Sequence, residues 1–139
     1  MKKIEIDTFL KFRFLSNPHF SPDGTKIAFT VSVPDRETNG YLSDLYLYDL
    51  RKKTVSRVTC AGDAKIWSWT AENTLIFTAA RTASLKKEKE NGTSFFYEIS
   101  PSGGEASCRA SVPASVTGIR LLPDRRYLLT IRHDNYKDT

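Results

Sequence analysis

The sequence is poor in the residues that most often carry chemistry. Its two cysteines, Cys60 and Cys108, stand 48 residues apart, a spacing that excludes any close-set metal motif. They read as free structural thiols of a reducing compartment. The two histidines, His19 and His133, belong to no H-E-x-x-H motif and to no His/Cys cluster with zinc spacing. Glycine occurs only at 24, 40, 62, 92, 103, 104 and 118. No two of these are four apart, so the G-x-S-x-G nucleophile elbow is excluded, as are a Walker loop and a G-x-G-x-x-G phosphate cradle. No apolar run approaches the ~20 residues that span a bilayer. Glu5, Asp7, Lys11 and Arg13 interrupt any signal-peptide core behind Lys2 and Lys3. The expectation is a cytoplasmic protein with no membrane partner, no metal and no cofactor.

What remains is ordinary globular composition: 139 residues, 40% hydrophobic and 27% charged, with a net charge of +5. The positive charge is scattered except at Arg51-Lys52-Lys53 and in the mixed run from Lys86 to Glu90. Neither cluster accompanies a reading motif, so both are taken as solvated faces and no nucleic-acid partner is expected. Asn91-Gly92-Thr93 has the form of a glycosylation sequon, but without a secretory signal it reads as a turn.

The informative feature is recurrence. In "FSPDGTKIAFT" (20–30) a turn cluster is followed at once by an alternating run. Ile27, Phe29, Val31 and Val33 fall on one face, with Lys26, Ala28, Thr30 and Ser32 on the other. "KIAFT" ends at Thr30, "TLIFT" at Thr78 and "RYLLT" at Thr130, intervals of 48 and 52 residues. Before each lies a short apolar segment, "PHF" (18–20), "IWSW" (66–69) or "GIRLL" (118–122), and then a polar turn. The turns are Ser21-Pro22-Asp23-Gly24, Thr70-Ala71-Glu72-Asn73 and Pro123-Asp124-Arg125. Pro22 presets φ, Asp23 tolerates the second central position, and Gly24 supplies φ > 0. Downstream, "SDLYLYDL" (43–50) and "TVSRVT" (54–59) in the first copy correspond to "TSFFYEI" (93–99) and "EASCRAS" (105–111) in the second.

Four antiparallel strands per 40 to 50 residues, repeated, is the pattern of β-propeller blades. A β-sandwich would alternate in the same way. Stacked blades bury both faces of a middle strand, which suits "LYLYDL": Leu45 and Leu47 point one way, Tyr46, Tyr48 and Leu50 the other. The fold expected is therefore all-β. It divides into a lead-in with a short helix within Asp7–Phe14 (1–16), a first blade (17–63), a second blade (64–116) and two strands of a third (117–139). Propellers use about 4 to 8 blades, so the chain reads as an incomplete propeller that stops inside its third blade.

With these residues in view, "NPHFSPDGTKIAF" followed by "NGYLSDLYLYDL" resembles the opening of the N-terminal propeller of prolyl oligopeptidase-family serine peptidases. The acylaminoacyl-peptidase and dipeptidyl-aminopeptidase-like branch is the nearest. The resemblance runs from about Ile4 to Asn135. "SPDGTKIAF" also occurs in the periplasmic propeller of the Tol system. The loop "VPDRETNGYLSDLYLYDL" and the lead-in favour the peptidases. The family likeness implies a propeller of seven or eight blades over an α/β-hydrolase domain with a Ser-Asp-His triad, later in the parent chain. That domain and the parent's peptide substrates are the implied partners.

No residue of this sequence is assigned a catalytic, cofactor-binding or metal-binding role. His19 and His133 read as plain strand residues. Trp67 and Trp69 fall on one side of their strand and read as inter-blade core rather than pore lining. Asp35, Arg36 and Glu37 read as a charged loop. Two functions compete: a non-catalytic propeller that gates access to a serine peptidase acting on short or N-blocked peptides, and a propeller scaffold for protein interaction. The edge of "RYLLTIR", with Tyr127, Leu129 and Ile131, is expected to be exposed and to drive self-association.

Overall fold

The computed structural model describes residues 11–133. Three antiparallel sheets follow one another along the chain. The first is β1 (Phe14–Phe20), β2 (Lys26–Asp35), β3 (Gly40–Asp49) and β4 (Thr54–Arg57), in sequence order. The second is β5 (Trp67–Trp69), β6 (Leu75–Thr78), β7 (Ser94–Ile99) and β8 (Ser107–Val112), also in order. The third pairs β9 (Ser115–Leu121) with β10 (Tyr127–Arg132). One helix among the described residues, α1 (Ala83–Glu90), joins β6 to β7. Among the described residues, one compact unit runs to Lys65 and takes in Pro101–Gly103; the other comprises the remainder.

The turn expected at residues 21–24 is present, and it recurs as a conformation. Gly24 N donates to Ser21 O at 2.8 Å, Asn73 N to Thr70 O at 3.1 Å, and Arg125 N to Leu122 O at 3.0 Å. The fourth residue of each turn is left-handed, with φ of 71° at Gly24, 61° at Asn73 and 70° at Arg125. That conformation lets the chain reverse into the next strand. It is cheapest for glycine, tolerable for asparagine and costly for arginine. Side chains brace the bend differently in each copy. Asp23 Oδ1 accepts from the Ser21 and Thr25 hydroxyls at 2.6 and 2.8 Å. In the second copy the Thr70 and Thr74 hydroxyls meet at 2.6 Å.

In the first unit the register sets Ala28 opposite Leu47 and Thr30 opposite Leu45, while Phe29 faces Tyr46 on the other side of the sheet. Alternation alone ranks these faces wrongly. The buried face is the one with small residues: Ala28 and Leu45 are fully covered, and Leu47 is 2% exposed. Phe29 and Tyr46, half-buried, lie 6.0 Å apart on the opposite face. In the second unit Trp67 and Trp69 are both buried beside Ser68. They pair in register with Phe77 and Leu75, which are fully buried. Each such side chain contributes about 1.5–3 kcal/mol on leaving water.

Three details lie at or beyond the limits of these expectations. Residues 7–10 of the anticipated helix lie outside the described residues. Its anticipated end, Phe14, is extended and pairs with Ser32, because ladder hydrogen bonds to β2 outweigh the local helical pattern. Next, β1 opens at Phe14 and β9 at Ser115, ahead of the segment limits at 17 and 117. Finally, α1 falls in the charged run, solvated as expected but helical. Thr82 caps it by accepting from Leu85 N at 3.2 Å, and none of its residues is buried. No helix among the described residues is long and apolar enough to cross a membrane.

Candidate functional site

The residues considered for chemistry do not converge. His19 is exposed, its Nε2 2.8 Å from Asn17 Oδ1, and His133 is exposed at the end of the described chain. Cys60 and Cys108 are free and both lie at the surface. By register Cys108, opposite Tyr97, corresponds to Arg57, opposite Tyr46, three residues from Cys60. Asp35 ends β2 and caps the hairpin, accepting from the Thr38 hydroxyl at 2.7 Å; that bond lowers its pKa. Trp67 and Trp69 lie in the core. Among the described residues no group of three His, Cys, Asp or Glu side chains is placed to hold a metal.

The first unit does contain a concavity of 410 Å³. One wall comes from β1, where the register slips between Ser16 and His19. Asn17 sits in the slip with φ of 55°, and Pro18, with no N–H to offer a ladder, follows it. Ser16 and Asn17 line this wall. Thr30 and Ser32 from β2 and Ser43 from β3 form the floor. Thr30 and Ser43 are buried, and the Ser32 and Ser43 hydroxyl oxygens are 2.8 Å apart. Tyr41 closes one end, its ring edge-on to Phe14 at 6.0 Å. Among the described residues, Lys65 is the one charged residue lining the space.

Lys65 follows a segment of chain held by a polar clasp. Asp44, 6% exposed in the middle of β3, accepts from Arg57 Nη2 at 2.6 Å, from the Thr59 hydroxyl at 2.8 Å and from Gly62 N at 3.0 Å. Thr59 Oγ1 in turn accepts from Leu45 N at 3.0 Å. Ser43 N donates to Gly62 O and Ala64 N to Ser43 O, so residues 62–64 run beside β3, and Lys65, next in the chain, lines the concavity. Arg57 also lies over the Tyr46 ring, 6.0 Å from its centre, and its pKa is raised chiefly by the hydrogen bond to Asp44. The second sheet carries Phe95 and Cys108 at the matching places, and there Arg81 stacks on Phe77 and Tyr97 at 5.1 and 5.3 Å. Sequence reading missed this clasp because Asp44 and Arg57 are strangers in the chain, 13 residues apart.

Comparison with known proteins places the architecture. No protein-family model matches the chain. In structure it aligns with acylaminoacyl peptidase of Pyrococcus horikoshii at a TM-score of 0.65 and 18% identity, covering 94% of this chain and 20% of that one. It aligns with the β-propeller domain of the Trilobed protease from Pyrococcus furiosus at a TM-score of 0.60 and 16% identity, covering 88% and 35%. At these identities the two alignments show the fold, that of a β-propeller domain. In sequence it is 26% identical over 133 residues to the uncharacterized peptidase YuxL of Bacillus subtilis (strain 168). That stretch is 93% of this chain and 19% of YuxL, so the chain spans about a fifth of the curated relative it matches. The peptidase-propeller match agrees with the resemblance carried by "NPHFSPDGTKIAF" and "NGYLSDLYLYDL".

Proposed function

We propose that this chain is a non-catalytic propeller portion of a serine peptidase and controls which peptides reach an α/β-hydrolase domain elsewhere in the parent. The three sheets serve as blades along the divisions near 17, 64 and 117, the first sheet opening at Phe14 and the third at Ser115, with the third completed by further strands. Short or N-blocked peptides are the substrates of the parent, and its location is the cytoplasm. The observation that carries this reading is the alignment of 94% of the chain with a peptidase of the acylaminoacyl type. The same class recurs in the sequence relative, YuxL, whose name is that of a peptidase.

The test is made on the product of the native gene. It should turn over chromogenic N-acetyl peptides, and a serine-directed phosphonate should label a serine outside residues 1–139. A product that consists of further repeats, is unlabelled and turns over no peptide would replace this reading with that of an interaction scaffold.

A further inference from the structure

The concavity on the first unit has a composition of its own. It offers the hydroxyls of Ser16, Ser32 and Tyr41, the amide of Asn17 and one ammonium, that of Lys65. No carboxylate among the described residues lines it, and two of its lining residues, Thr30 and Ser43, are buried. Its 410 Å³ lies within the range of small-molecule sites, roughly 300–1,000 Å³. An open concavity lined by hydroxyl- and amide-bearing residues, with one ammonium as its charge among the described residues, is matched by an oxygen-rich anion. A single ammonium balances one negative charge; a phosphate dianion would remain half-compensated.

Two structural features point the same way. Asn17 is held in a left-handed conformation at a strand irregularity, and such positions cluster where a side chain must be re-aimed toward a ligand. Lys65 follows a stretch held to β3 by Asp44 and by backbone bonds at Gly62 and Ala64. Its ammonium therefore starts from an anchored backbone, which reduces the entropy lost on binding.

We propose that this concavity binds the C-terminal carboxylate of a short peptide, with Lys65 as its charge partner and the Ser16 and Ser32 hydroxyls as hydrogen-bond donors. The choice of a peptide as the carrier of the carboxylate rests on the peptidase-propeller reading. The preference for one negative charge rests on the lining residues alone.

The experiment is a titration of the 15N-labelled 139-residue chain with trialanine, trialanine amide and inorganic phosphate, followed by amide chemical shifts. Trialanine should give saturable shifts concentrated at residues 16–17, 30–32, 41–43 and 65. Removing the charge, in trialanine amide or in Lys65→Gln, should weaken binding about tenfold, as expected for one lost charge-assisted hydrogen bond. Lys65→Arg should retain it. Lys65 is exposed, so its variants should keep the parent spectrum elsewhere; Ser16→Ala, also at an exposed position, provides a second, weaker loss. Absence of saturable shifts, equal binding of acid and amide, tighter binding of phosphate, or shifts centred elsewhere would each overturn the proposal. None of these outcomes touches the peptidase reading, which is decided by serine labelling of the native gene product.

Discussion

Arg57 and Asp44 meet at 2.6 Å, joining the last residue of β4 to the middle of β3, and the Asp44 carboxylate also holds Thr59 and Gly62. The two ends are unequal: the Arg57 side chain is 49% exposed and that of Asp44 9%. Asp44 is therefore the partner whose loss matters. Asp44→Ala should lower stability by about 1–3 kcal/mol, because the Thr59 hydroxyl and the Gly62 N–H lose their acceptor away from water. Asp44→Asn keeps one acceptor oxygen and should cost less, and Arg57→Ala least of the three. Urea denaturation midpoints decide the order.

The left-handed fourth residue of the turn gives a second expectation. Gly24→Val should destabilise by about 1–2 kcal/mol through backbone strain alone, since a Cβ there meets nothing within 4 Å. Gly24→Asn should be milder, as Asn73 occupies the same conformation in the second copy. Gly40 has no positive φ, and a Cβ would touch only Thr38 at 3.7 Å, so Gly40→Val should shift the midpoint less. Equal losses at 24 and 40 would count against the turn.

Asp23 sets a pH dependence. The Ser21 hydroxyl, then the Thr25 amide and hydroxyl, hold its pKa down at about 2 from an ordinary 3.8. A depressed carboxylate adds stability that is complete above the unfolded value and disappears as pH falls through the folded one. The contribution of the turn should thus be full above about pH 4 and fade toward pH 2. The Thr25 amide resonance should titrate with a midpoint near 2, and Asp23→Ala should remove that step. A midpoint close to 4 would contradict the bracing.

On the proposed reading, in which the nucleophile belongs to another part of the parent, the 139-residue polypeptide by itself should show only background rates on peptide and ester substrates. Turnover that survives repurification and yields to a serine-directed inhibitor would refute this.

Self-association is expected of the same polypeptide. Among the described residues β10 pairs only with β9, and Leu128 and Ile131 are 56% and 49% exposed. Of the three residues some of which were expected to be open, Tyr127 and Ile131 are exposed and Leu129 is half-buried, while its neighbour Leu128 faces solvent. Open edges recruit partners. Light scattering should rise with concentration, and Leu128→Lys should suppress the rise; a strict monomer at high concentration would speak against it.

Strand positions were legible because "KIAFT", "LYLYDL" and "SFFYEI" concentrate β-branched and aromatic residues between turn-forming clusters. The helix α1 was not, since its run of lysines and glutamates has no apolar face to reveal a period. Its signals were finer: Thr82 as a cap, good helix formers, and Asn91-Gly92 as a stop. The concavity and the clasp were illegible for another reason. Asp44 lies in an alternating strand, where a charged residue reads as solvent-facing, and its burial depends on Arg57, Thr59 and Gly62 arriving from later in the chain. Ser16, Ser32, Ser43 and Lys65 become neighbours only through register.

The clasp also changes the mechanical character of the chain after the first sheet. Connections beyond a finished sheet are commonly slack and easily cut. Here Val58, Thr59 and Ala64 are buried, and residues 58 to 64 are stitched to β3 by backbone bonds at Leu45 and Ser43. The stretch behaves as a seam rather than a tether. The bend of residues 36–39 is exposed, and a protease cut there would leave the two halves sewn together.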